Sequence, residues 1–97
     1  MGRTITLMRK KTLLNNKWAW DVVLDGKNFG VICGGQTRKI IVDENSHTIS
    51  VQTHNEKVGK FDEFFIEQGN DNCVFQASLG TTMVGNTIMN CIKLKEL

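Results

Sequence analysis

The sequence predicts an all-β fold, a small antiparallel β-sandwich of seven or eight short strands, and three observations carry that prediction. Apolar and polar residues alternate with a period of two in short runs, which puts successive side chains on opposite faces of a strand. Clusters of Gly, Asn, Asp and Ser punctuate the chain roughly every eight to twelve residues, the spacing of sandwiches and small barrels. A helical stripe is conceivable only at Asp62 to Gln68, where Phe61, Phe64, Phe65 and Ile66 with a following turn cluster favour a strand instead.

Taken in order, Ile5 and Leu7 alternate with Thr4, Thr6 and Met8 in a first strand that ends at Arg9-Lys10-Lys11. Asn15-Asn16 marks a turn. The next run places Trp18, Trp20, Val22 and Leu24 on one face, against Ala19, Asp21 and Val23, and stops at Asp25-Gly26. Asp-Gly tolerates the two positive φ angles of a type I′ turn, so Phe29 to Ile32 is expected to return as a hairpin partner. Gly34-Gly35 breaks the chain before a strand at Arg38 to Val42, and Asp43 to Ser46 makes a polar connection. In the strand that follows, His47, Ile49, Val51 and Thr53 face one way while Thr48, Ser50 and Gln52 face the other, as in a sheet wet on one side. A loop at Asn55 to Gly59 leads to a strand at Lys60 to Glu67. Gly69 to Asn72 then turns that strand into a hairpin with Cys73 to Leu79. Gly80 and Gly85 flank a short connection to a last strand at Thr87 to Leu94. With no proline to guard the sheet edges, Lys39, Lys60 and Lys93 are expected to do so.

The 97 residues make one domain, 1–97, large enough to bury roughly 60 to 68% of its unfolded surface. Apolar residues at 40% and charged residues at 23% are globular values, not those of a disordered chain. No stretch approaches the ~20 apolar residues of a membrane span, and the first thirty residues lack the pattern of a secretory leader. The odd cysteine count, Cys33, Cys73 and Cys91, argues for reduced thiols. A cytoplasmic protein is the expectation, with the envelope left open should a leader or anchor have been trimmed. A net charge of +2 is too small to imply a nucleic-acid or membrane partner. The basic residues Arg3, Arg9, Lys10, Lys11 and Lys17 nevertheless precede any acid, and the middle of the chain is acidic.

Candidate chemistry is sparse. Trp18 and Trp20, two apart on one strand face, could stack a sugar ring or base, with Asp21 supplying a polar group; the plainer expectation is that they join Val22 and Leu24 in the core. Cys33, His47, His54, Cys73 and Cys91 show no spacing typical of a zinc site, so neither a metal nor a cofactor is expected. Cys33, before Gly34-Gly35 and near Arg38 and Lys39, could be a low-pKa nucleophile, or simply a thiol at a strand end. Arg9 to Lys11 could touch phosphates but is expected to be a solvated surface. Asp62 and Glu63 are adjacent and point apart on a strand, which is poor geometry for paired acid and base work.

The segment Leu24-Asp25-Gly26-Lys27-Asn28-Phe29-Gly30-Val31-Ile32, then Thr37 to Val42, then His47-Thr48-Ile49-Ser50-Val51, resembles the PEGA-type β-sandwich domain, about residues 22–52. The likeness lies in the Asp-Gly-Lys hairpin and the alternating strand begun by His47. It covers about a third of the chain, which lacks proline and has Asp43 to Ser46 where that family usually turns on proline and glycine. The resemblance implies a small binding or display module, often attached to envelope proteins, with no catalytic residues to carry over. The resulting expectation is a non-enzymatic module that binds or assembles with protein, through a partner or by self-association. A carbohydrate-binding face at Trp18 and Trp20 is the alternative, and a thiol enzyme using Cys33 is third.

Overall fold

The computed structural model describes residues 2–11, 19–53 and 58–97. The fold is all-β as expected, and among the described residues there are nine strands, against the seven or eight expected, and no helix. They are β1 (Arg3–Arg9), β2 (Trp20–Leu24), β3 (Lys27–Ile32), β4 (Thr37–Val42), β5 (His47–Gln52), β6 (Val58–Phe61), β7 (Glu63–Ile66), β8 (Cys73–Val84) and β9 (Thr87–Glu96). They build a two-layer sandwich: a five-stranded sheet ordered β4-β1-β8-β9-β6 and a four-stranded sheet ordered β3-β2-β5-β7. The expected turn at Asn15-Asn16 lies outside the described residues.

Period-two burial fills the space between the layers. Ile5 and Leu7 of β1, Ile40 of β4, Phe75 and Ala77 of β8, and Ile92 and Leu94 of β9 face Trp20, Val22, Leu24, Ile32, Ile49, Val51 and Ile66 of the other sheet. Phe64 meets Phe75 edge to face at 4.8 Å between ring centres. β5 departs from simple alternation because Ser50, on its supposed wet side, is buried at 3% exposure.

Local turn chemistry acts as the sequence implies at the first hairpin. Asp25 and Gly26 have φ of 52° and 79°, the paired positive values of a type I′ turn joining β2 to β3. Gly35, at φ 81°, sits in a Cys33–Gln36 turn closed by the Gln36 N–H on the Cys33 carbonyl at 3.0 Å, which carries the chain from one sheet to the other.

Connectivity departs from the expected run of antiparallel neighbours. β1 pairs parallel with β8 and β6 pairs parallel with β9, although the remaining pairs are antiparallel. The expected single strand Lys60 to Glu67 is split at Asp62 into β6 and β7, which belong to different sheets. Asp62 makes the crossing by extending the β9 ladder, its N–H donating to the Ile92 carbonyl and its Oδ2 accepting the Leu94 N–H, both at 3.0 Å. β7 and β8 also lie in different sheets, so Gly69 to Asn72 is a crossover and not a hairpin turn. Gly80 is strand interior: β8 runs through it to Val84, and the Lys93 stem crosses the space its Cβ would take. Lys93 is therefore not an edge guard, whereas Lys39 and Lys60 do sit on the edge strands β4 and β6.

Candidate functional site

Two arginines occupy the ends of the inward face of β1. Arg3, Ile5, Leu7 and Arg9 share that face, and both arginines are 4% exposed. Arg9 is not the solvated cation its neighbours imply. Its guanidinium lies 3.6 Å from the Trp20 ring centre and donates to the Ile32 carbonyl at 2.9 Å, and burial lowers its pKa from the usual arginine value. Lys10 and Lys11 are exposed. Arg3 donates to the carbonyls of Asn45 at 2.9 Å and Glu67 at 2.8 Å, fastening two sheet-to-sheet connections to β1. Among the described residues, its Nε is buried and has no hydrogen-bond partner. Beside it a cleft of about 570 Å³ is walled by Phe64, Phe65, Glu67, Asp71 and Glu96.

Of the residues expected to form a binding face, Trp20 is in the core at 6% exposure with Arg9 over its ring, so it offers no open platform. Asp21 is half-buried on the opposite face of β2, and Trp18 lies outside the described residues. Trp20 and Asp21 are thus not brought together.

His47 is held on both sides. Its Nδ1 lies 2.6 Å from Asp25 Oδ2 and its Nε2 2.8 Å from Asp43 Oδ1. A neutral imidazole has one N–H, so two carboxylate partners require the imidazolium, and the Asp25 hydrogen bond, then that of Asp43, raises its pKa against the opposing effect of burial. In return His47, then the Thr48 N–H, pulls Asp25 below the ordinary carboxylate value; the Asn45 N–H, then His47, does so for Asp43. With both ring nitrogens engaged, His47 is a clamp joining the β2–β3 turn to the start of β5, not a base for a nucleophile. His54 lies outside the described residues.

Of the three cysteines, Cys33 is half-buried and Cys73 and Cys91 are buried. Burial pushes the Cys73 thiol pKa up. Among the described residues, no three His, Cys, Asp or Glu side chains gather as a metal-binding group.

The feature missed in sequence is the far end of the β8–β9 hairpin. These strands pair from Phe75↔Glu96 to Val84↔Thr87, whereas β1 accompanies β8 only through Ala77 and β6 accompanies β9 only from Asn90 to Ile92. Among the described residues, Ser78–Val84 and Thr87–Met89 therefore have no further strand beside them. Along the face that lines the core, Phe75 and Ala77 are fully buried, then Leu79 is 39% and Met83 57% exposed, with Ile88 opposite Met83 at 71% and the polar pair Thr81 and Asn90 between them. Among the described residues, the inner face of one sheet outruns the sheet that covers it. Other exposed apolar side chains lie elsewhere, Phe29 and Val31 on β3 and Ile41 on β4. The sequence does hold a signal for the arm: Asn72 to Ile92 contains no Asp, Glu, Lys, Arg or His.

Searches against protein-family models, curated proteins and solved structures found no match for the chain.

Proposed function

We propose that the protein is a non-enzymatic module that assembles with protein through the arm formed by the outer halves of β8 and β9. The observation that carries this reading is the exposed continuation of the core face along Leu79, Met83 and Ile88, on a ribbon free of charge and proline. Natural edges are usually blunted by charge, proline or a cover, and a two-stranded ribbon alone in water is marginal. An uncharged ribbon gains stability when another surface covers it. The resemblance of residues 22–52 to the PEGA type also supports a binding module.

The test compares the wild-type protein with Met83→Asp/Ile88→Asp, each immobilised and exposed both to source-cell lysate and to the purified wild-type chain. Assembly through the arm predicts retention by the wild type, of itself or of another protein, and loss of that retention in the variant. Equal retention by both would sink the arm as the contact, and no retention by the wild type would sink the assembly reading.

A further inference from the structure

We infer that the cleft beside Arg3 binds a small amino-carboxylate zwitterion with an apolar side chain, in chemical class a free α-amino acid. The cleft lies at the opposite end of the β8–β9 hairpin from the arm, beside the Phe75↔Glu96 pair, and the inference is independent of the assembly reading.

Three features select that chemistry, and the first is a buried cation. Arg3 lines the cleft at 4% exposure, and its hydrogen bonds among the described residues both leave from Nη2. Nε has no partner there, and Nη1 stands beside Gly69, another cleft residue, where a Cβ would come within 3.7 Å of it. A guanidinium carries five donors in a planar fork that matches a carboxylate, so donors remain for one.

The second feature is a set of acids that Arg3 does not meet. Glu67, Asp71 and Glu96 share the cleft and are exposed, yet among the described residues none of them forms an ion pair with Arg3. A buried cation with no anion against it is costly, and a ligand carboxylate removes that cost. The Cys73 thiol in the same wall senses charges of both signs: burial raises its pKa most, Arg3 lowers it, and Glu96 and Asp71 raise it. The third feature is an apolar wall of Phe64 and Phe65, the latter 61% exposed, which can receive an aliphatic or aromatic side chain.

The balance of charge decides between ligand types. Three acids oppose a simple anion, and Arg3 opposes a simple cation. A zwitterion sets its carboxylate on Arg3 and its ammonium among the acids, so that every charge finds its opposite. The volume of about 570 Å³ lies within the roughly 300–1,000 Å³ of small-molecule sites.

Amide shifts of the isotope-labelled full chain, titrated with L-phenylalanine, L-leucine and L-methionine, test the inference. At least one of the three is expected to give saturable shifts at Phe64 to Asn72 and at Glu96, with Kd below about 1 mM. Phenethylamine and hydrocinnamate each lack one of the two charges of phenylalanine and are expected to bind at least about tenfold more weakly than it does. Glu67→Gln/Asp71→Asn/Glu96→Gln alters only exposed side chains, and its backbone spectrum reports whether it folds. In that variant the preference for phenylalanine over hydrocinnamate is expected to disappear, because the groups that hold the amine and repel the anion are gone. The absence of saturable shifts with all three amino acids overturns the inference, as do shifts centred outside the cleft. Hydrocinnamate binding as tightly as phenylalanine would mean an anion site, and phenethylamine doing so a cation site; either result overturns the zwitterion assignment whether or not the variant folds. A folded variant that keeps the wild-type preference overturns it too.

Discussion

His47 shows how much one side chain can fasten when both ring nitrogens find carboxylates. The clamp weakens at both ends of the pH scale, for different groups. The folded pKa lies above the ordinary 6.5, so the stabilisation is fully present below pH 6.5 and is lost as pH rises through the folded value. Asp25 and Asp43 are held below the ordinary 3.8, so their contribution is complete above that pH and is lost as pH falls through their folded values. Lys27, near Asp25, adds a smaller attraction. His47→Gln should lower stability only modestly near pH 6, since both carboxylates are substantially solvated. Urea unfolding at a series of pH values should show the wild type weakening above pH 6.5 and the variant flat there; parallel curves would refute the clamp. The thiols give a second test at this scale. Cys33 is half-buried and its two counterparts are buried, so iodoacetamide should label one thiol quickly in the native state and all three after unfolding. Rapid native labelling of Cys73 would contradict its burial.

Among the elements, β1 and the β8–β9 hairpin behave differently for reasons visible in their sequences. β1 is short, flanked by strands on both sides, and capped inward at each end by an arginine that satisfies carbonyls of neighbouring segments. The hairpin is long, and its outer half rests on its own turn. Gly85 there has φ 64° while Asn86 has no positive φ, the pattern of a type II′ turn that wants glycine first. Gly85→Ala meets no atom within 4 Å, so its penalty, about 1 kcal/mol, is backbone strain alone. Because the arm touches little of the core, that penalty should appear as faster amide exchange at Thr81 to Thr87 with Tm hardly changed. A Tm drop together with loss of protection throughout the core would mean that the arm is part of the main cooperative unit.

For the molecule as a whole, the outline is elongated. The radius of gyration is 13.6 Å, against roughly 12.5 Å for a compact chain of this length, and the longest extent of 45 Å compares with 27 and 23 Å across. Joining Thr82-Gly85-Asn86-Met89, with 83–84 and 87–88 removed, keeps strand parity and the turn while leaving every core residue in place. The shortened protein should fold with Tm within a few degrees of the wild type, have a smaller radius of gyration in solution scattering, and lose the retention that depends on the arm. Failure to fold would show that the arm stabilises the sandwich itself.

The alternation in β1, β2 and β5, and the Asp25-Gly26 turn, were readable from the sequence because they depend on neighbours one to four residues apart. Period-two burial selects the core face, and a type I′ turn needs only two adjacent residues that accept positive φ. What tertiary structure decided depends on residues far apart in the chain. The parallel pairing of β1 with β8 joins Ile5 to Cys73, and the split at Asp62 exists because β9 offers it two backbone partners. Arg9 reads as a surface cation beside two lysines until the fold lays Trp20 beneath it. The exposed arm is decided last of all: Leu79, Met83 and Ile88 follow the same alternation as the core, and only the length of the opposing sheet determines where burial stops. A sequence specifies which face of a strand is apolar, but the amount of that face that is covered is a property of the partner sheet, and no local pattern encodes it.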